Sequence, residues 1–230
     1  MLSTMVRNQI EATLNAPQGR AGFAERVDAI ATSSDTALSS VDLDAIAVLA
    51  EQYVRGTLRL MESCDVAARQ ARAEGMFEPL LRAAGDGFMR PIDHSPAEIG
   101  LLDMISDSYF ARTLLKQASE HVRVSRGFAL FTTDPNSDAS VIAAILGPKA
   151  AAELDDRAAA LLEAPILRHA MQNTYLLQAP LRVSGEMNDW GGGWRGEVDQ
   201  FCKTVGLALV SEPASGLDQR EHQGRGANLV

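Results

Sequence analysis

Four histidines, His94, His121, His169 and His222, and two cysteines, Cys64 and Cys202, are the side chains best suited to nucleophilic, acid–base or metal chemistry. Their spacing does not gather them. The chain has no His-Glu-x-x-His, no His-x-His and no Cys-His cluster. His169 sits in a helical pattern beside Arg168, and one basic neighbour is thin support for a phosphoacceptor. His121 falls near the end of a helical pattern, where a cation complements the helix dipole. Structural or surface roles are expected for all four. Paired carboxylates occur at Asp42/Asp44, Asp103/Asp107 and Asp155/Asp156. Asp103 and Asp107 share a helix face, but two carboxylates are too few ligands for a metal. A solvated face is the expected role.

Gly191-Gly192-Gly193-Trp194-Arg195-Gly196 matches the dinucleotide fingerprint letter for letter. That fingerprint needs a strand directly before it, a helix after it and an acidic residue some way beyond. The nearest strand pattern ends at Ser184, and little chain follows the loop. The Gly191–Gly196 segment therefore reads as a turn that packs Trp190 and Trp194. No Gly-x-Ser-x-Gly elbow, P-loop or Cys-x-x-Cys is present. No catalytic, cofactor-binding or metal-binding residue is assigned, and no cofactor is expected.

The 230 residues carry a formal net charge of −9, and 18 of the 21 basic residues are arginine. Both halves of the chain are acidic. Long-range forces therefore oppose approach to a polyanion, and direct nucleic-acid binding is not expected. His121, Arg123 and Arg126 form the densest basic group, but they fall where helix-terminal carbonyls need partners. The longest apolar runs, Ala45–Ala50 and Val141–Leu146, are far short of a membrane span. No secretory signal is visible at the first residues, and two distant thiols fit a reduced cytoplasmic chain.

Hydrophobic periodicity predicts a mainly α fold: a compact multi-helix domain over residues 1–210, with a long central helix pair and at most a small two-stranded β element. Residues 211–230 read as a disordered tail, because they hold too little apolar surface to offset ordering entropy. Two short helices are expected before residue 31, split at Pro17. A long helix is expected from Asp42 to about Glu74, continuous or bent at Gly56. Along it Glu51/Arg55 and Asp65/Arg69 stand in the favourable orientation for intrahelical pairs. Arg55, Arg59, Arg69 and Arg72 then read as a mixed solvated face, not an anion groove. Gly75 and Gly85 read as breaks. Ser95-Pro96-Ala97-Glu98 has the form of a capping box and predicts a central helix from Pro96 to about Glu120, with Leu102, Ile105 and Leu114 in the core. Residues 122–133 read as strand, with 181–184 as their partner. Helices are expected again from Asp138, Pro148 and Pro165.

With no catalytic constellation, the expected function is a cytoplasmic interaction or regulatory protein. It would bind a protein partner through a helical or extended apolar surface, and Phe128, Leu130, Phe131, Trp190 and Trp194 are the residues expected to meet it. The alternatives are a small-molecule sensor or carrier with an apolar pocket between helices, and an enzyme whose residues converge only in space.

Overall fold

A computed structural model describes residues 2–16, 19–33, 40–89, 100–132, 134–136, 139–173, 177 and 179–181. Among these residues the chain forms eight α-helices: α1 (Leu2–Leu14), α2 (Ala21–Ser33), α3 (Ser40–Gln70), α4 (Glu74–Gly85), α5 (Leu101–Arg126), α6 (Ala139–Leu146), α7 (Pro148–Leu162) and α8 (Pro165–Gln172). A 3₁₀ turn, Asp86–Phe88, follows α4. The fold is mainly α, as the periodicity predicts. The long pair is α3 and α5. They pack on each other, with α1, α2 and α4 on α3 and with α7 on α5.

α3 runs unbroken through Gly56, which is buried. Tyr53, Val54, Leu60, Cys64 and Ala68 line its inner face and are essentially inaccessible. Its end is not at Gly75. The chain leaves the helix at Arg72, whose φ of 54° lies in the left-handed region. The Ala73 N–H reaches the Ala68 carbonyl at 2.8 Å and the Arg72 N–H reaches that of Arg69 at 3.1 Å. This is a Schellman closure with arginine where glycine is usual. Gly75 then falls in the first turn of α4, a helix that glycine content alone conceals.

The central helix begins at Leu101, not at Pro96. Gly100 is extended, and its N–H donates to Asp103 Oδ2 at 3.1 Å. The Leu101 N–H donates to the Gly19 carbonyl at 2.7 Å. Ser95 and Pro96 lie outside the described residues. Ile105 and Leu114 are fully buried, whereas Leu102 is half-buried and packs at the core's edge.

Residues 122–126 are helix, not strand. Val122 is buried while Arg123, Val124, Ser125 and Arg126 are exposed, the pattern of a last helical turn over a core. α5 stops at Gly127, which has a φ of 80° and donates its N–H to the Arg123 carbonyl at 2.9 Å. The β content among the described residues is one isolated parallel bridge, Phe131 to Leu181. The Leu181 N–H donates to the Leu130 carbonyl at 2.9 Å.

The α6–α7 corner combines two requirements. Gly147 has a φ of 92°, and a Cβ there would stand 2.6 Å from Arg26 Nη2. Arg26 from α2 uses that space to donate to the Ile145 and Leu146 carbonyls, which end α6. Pro148 and Pro165 then start α7 and α8, as expected for proline in a first turn.

Candidate functional site

The residues expected to do chemistry do not converge. His121 and His169 are exposed on α5 and α8. His94, His222, Cys202, Trp190, Trp194 and the Gly191–Gly196 segment lie outside the described residues, as does the 211–230 tail. Asp103 closes the start of α5. Asp107 is buried one turn later, against Gly87, where a Cβ would stand 2.7 Å from Asp107 Oδ1. Asp155 receives hydrogen bonds from α5, and Asp156 is exposed. No group of three or more His, Cys, Asp or Glu among the described residues is placed to hold a metal.

Leu130 and Phe131 are committed to the core and to the bridge with Leu181. Only Phe128 of that apolar run stays half-buried at the surface. The arginine stripe on α3 is a set of ion pairs. Arg55 bonds Glu11 of α1 at 3.2 Å and Glu51 at 3.3 Å, and Arg20 reaches the same Glu51 at 2.5 Å. The carboxylates of Glu11 and Glu51 raise the Arg55 pKa. Arg69 pairs with Asp65 at 2.7 Å.

Two arrangements were not evident from local sequence. The first is a buried polar cluster. Arg112 of α5 donates from Nε to Thr57 Oγ1 at 2.7 Å, from Nη1 to the Pro135 carbonyl at 3.1 Å and from Nη2 to the Tyr53 carbonyl at 3.3 Å. Its guanidinium also stacks on the Tyr53 ring. The Tyr53 hydroxyl donates to Asn136 Oδ1 at 3.1 Å, and Asn136 Nδ2 donates to Thr113 Oγ1 at 3.1 Å. The Tyr109 and Thr113 hydroxyls both point to the Asp155 carboxylate at 3.4 Å. This cluster joins α3, α5, α7 and the 134–136 turn. Its groups are engaged with one another, so its role is cohesion.

The second is a groove of about 540 Å³ between the C-terminal half of α3 and α4. Leu58, Met61, Ala68, Phe77 and Leu81 form its floor, and Asp65, Arg69, Glu74, Glu78 and Arg82 stand on its walls. The wall charges pair along their own helices, Asp65 with Arg69 and Glu78 with Arg82 at 3.0 Å. No ion pair closes the groove from wall to wall. Helical periodicity announces the Asp65/Arg69 half of this arrangement. The groove itself depends on how α4 returns along α3, which no local pattern encodes.

Nucleophilic chemistry finds little support. Burial pushes the Cys64 thiol far above its ordinary range, so the thiolate that would react is disfavoured. Burial, with the nearby Asp155 charge, pushes the Tyr109 hydroxyl up to about 12. No helix among the described residues is long and apolar enough to cross a membrane. Comparison with protein-family models, curated proteins and solved structures finds no match to this chain.

Proposed function

We propose that this protein works by binding, as a cytoplasmic interaction or regulatory protein, and that the α3/α4 groove receives a helical segment of a protein partner. The observation that carries this reading is the groove itself: an apolar floor between two helices whose wall charges are paired within each helix and leave the mouth open. Amphipathic helices are recognised in grooves of this form, with apolar anchors on the floor and charges at the rim. The elevated Cys64 and Tyr109 pKa values argue in the same direction, away from catalysis by those side chains. A free, buried Cys64 fits a reducing compartment. The acidic charge argues against nucleic acid as the direct partner.

The test is site-specific photo-crosslinking in host cells. A photoreactive residue replaces Glu78, which is exposed on the groove wall, or Asp156, which is exposed on α7. The reading expects a discrete adduct with one protein from position 78 and none from position 156. Equal adduct patterns from both positions would overturn it.

A small-molecule carrier is the second reading, favoured by one observation: about 540 Å³ is within the range of ligand pockets. Native mass spectrometry of the purified chain separates the two. A small bound mass that survives gentle desolvation would favour the carrier.

A further inference from the structure

Glu74 stands on the α4 wall of the groove, and it has neither an ion-pair nor a hydrogen-bond partner among the described residues. The other four wall charges are satisfied in two pairs, Asp65 with Arg69 and Glu78 with Arg82. The groove therefore presents one surplus negative charge beside an apolar floor, on a chain whose net charge is −9. We infer that the occupant of the α3/α4 groove is a basic amphipathic helical segment, which lays its apolar stripe on Met61, Phe77 and Leu81 and sets a lysine or arginine against Glu74. This rests on the reading that the groove binds a protein.

The floor residues fit that occupant. Leu58 and Met61 on α3, and Phe77 and Leu81 on α4, follow the three- and four-residue steps of helix ridges. A third helix laid between them meets apolar atoms along one stripe. Electrostatics selects its sign. An acidic segment would approach against the field of the whole chain and would leave Glu74 facing a like charge. A basic segment is steered in and supplies the missing partner. Phosphate-bearing ligands are disfavoured for the same reason, since Arg69 and Arg82 already hold carboxylates.

The experiment uses the full chain and two fluorescent peptides of about 18 residues, long enough for stable helix on a surface. One is built from Leu, Ala and Lys with an amphipathic pattern; the other has Glu at every Lys position. Anisotropy titrations run at about 0.15 M salt, where charges beyond roughly 8 Å are screened. The Lys peptide is expected to bind saturably and at least about tenfold more tightly than the Glu peptide, a difference of about 1.4 kcal/mol. Glu74→Gln should weaken it about two- to fivefold, the range of an exposed pair, and Glu74→Lys more. Asp156→Lys makes the same change in net charge on α7 and should shift affinity less than about twofold. Thermal melts by circular dichroism verify that the Glu74 variants fold, since Glu74 also lies in the first turn of α4.

Equal effects of the Glu74 and Asp156 variants would show general attraction and overturn the inference. Preference for the Glu peptide, or binding of neither peptide, would also overturn it. The proposed function has its own readout in the crosslink at position 78, so an adduct there with no dependence on Glu74 would refute the basic occupant alone.

Discussion

The Arg112 guanidinium lies over the Tyr53 ring, 4.4 Å from its centroid, and both side chains are buried. One face of the cation meets the aromatic quadrupole, while its edge donates to Thr57 and to the carbonyls of Tyr53 and Pro135. One side chain thus ties α5 to α3 and to the turn at Pro135. Arg112→Ala should cost about 3–5 kcal/mol, because it leaves buried acceptors without donors as well as a cavity. Arg112→Lys should recover only a minor part, since an ammonium cannot reproduce the planar fork. Urea unfolding measures both. A loss below about 1 kcal/mol for Arg112→Ala would show that the cluster is not cohesive.

The left-handed closures of α3 and α5 give a paired prediction. Arg72→Gly should stabilise the fold by up to about 1 kcal/mol, because arginine there bears the steric cost of a φ of 54°. Gly127→Ala should destabilise by about 1 kcal/mol. Open space surrounds a Cβ at Gly127, so only the φ of 80° opposes it. Thermal melts of the two variants should move in opposite directions. Movement in the same direction would contradict the assignment.

These corners also show what local sequence encodes. Pro148 and Pro165 mark helix starts because a proline in the first turn is a one-residue signal, and both are seen. The Gly100 start of α5 is a weaker signal, since glycine offers no capping side chain and only Asp103 at N3 betrays it. Val122–Arg126 alternates like a strand, and its helical state is decided by Val122 reaching the core. Leu130 and Phe131 look available for a partner in sequence, yet the core claims them, because burial of an extended run is a property of the whole fold. The groove is the extreme case. Its Asp65/Arg69 pair is legible, whereas Met61, Phe77 and Leu81 become a floor only when α4 turns back along α3 at Arg72.

Asp103 tests the start of α5. Asp103→Ala removes the acceptor for the Gly100 N–H and a negative charge from the first turn. The expected loss is about 1 kcal/mol by chemical denaturation. Asp103→Asn should keep part of it. If Asp103→Ala matches the parent chain within error, the helix is capped by other means.

Tyr109 sets a pH dependence. Its hydroxyl is pushed up to about 12 by burial first and by Asp155 second, from an ordinary value near 10. The folded protein therefore holds this proton where the unfolded chain releases it. The resulting stability is fully present below about pH 10 and is lost as pH rises through about 12. Melting temperatures recorded across that window should fall less steeply for Tyr109→Phe than for the parent chain. Parallel curves would contradict the shift.

The central claim is that the α3/α4 groove is the surface this protein uses, and Met61 reports on it directly. With ¹³C-methyl-labelled methionines, the full chain is titrated with the protein captured by crosslinking from position 78. The Met61 methyl resonance should shift or broaden saturably, since its side chain forms the groove floor. The Met104 methyl, buried on α5 and absent from the groove lining, should stay in place. A saturable complex that leaves Met61 unmoved while other methionines respond would contradict the account.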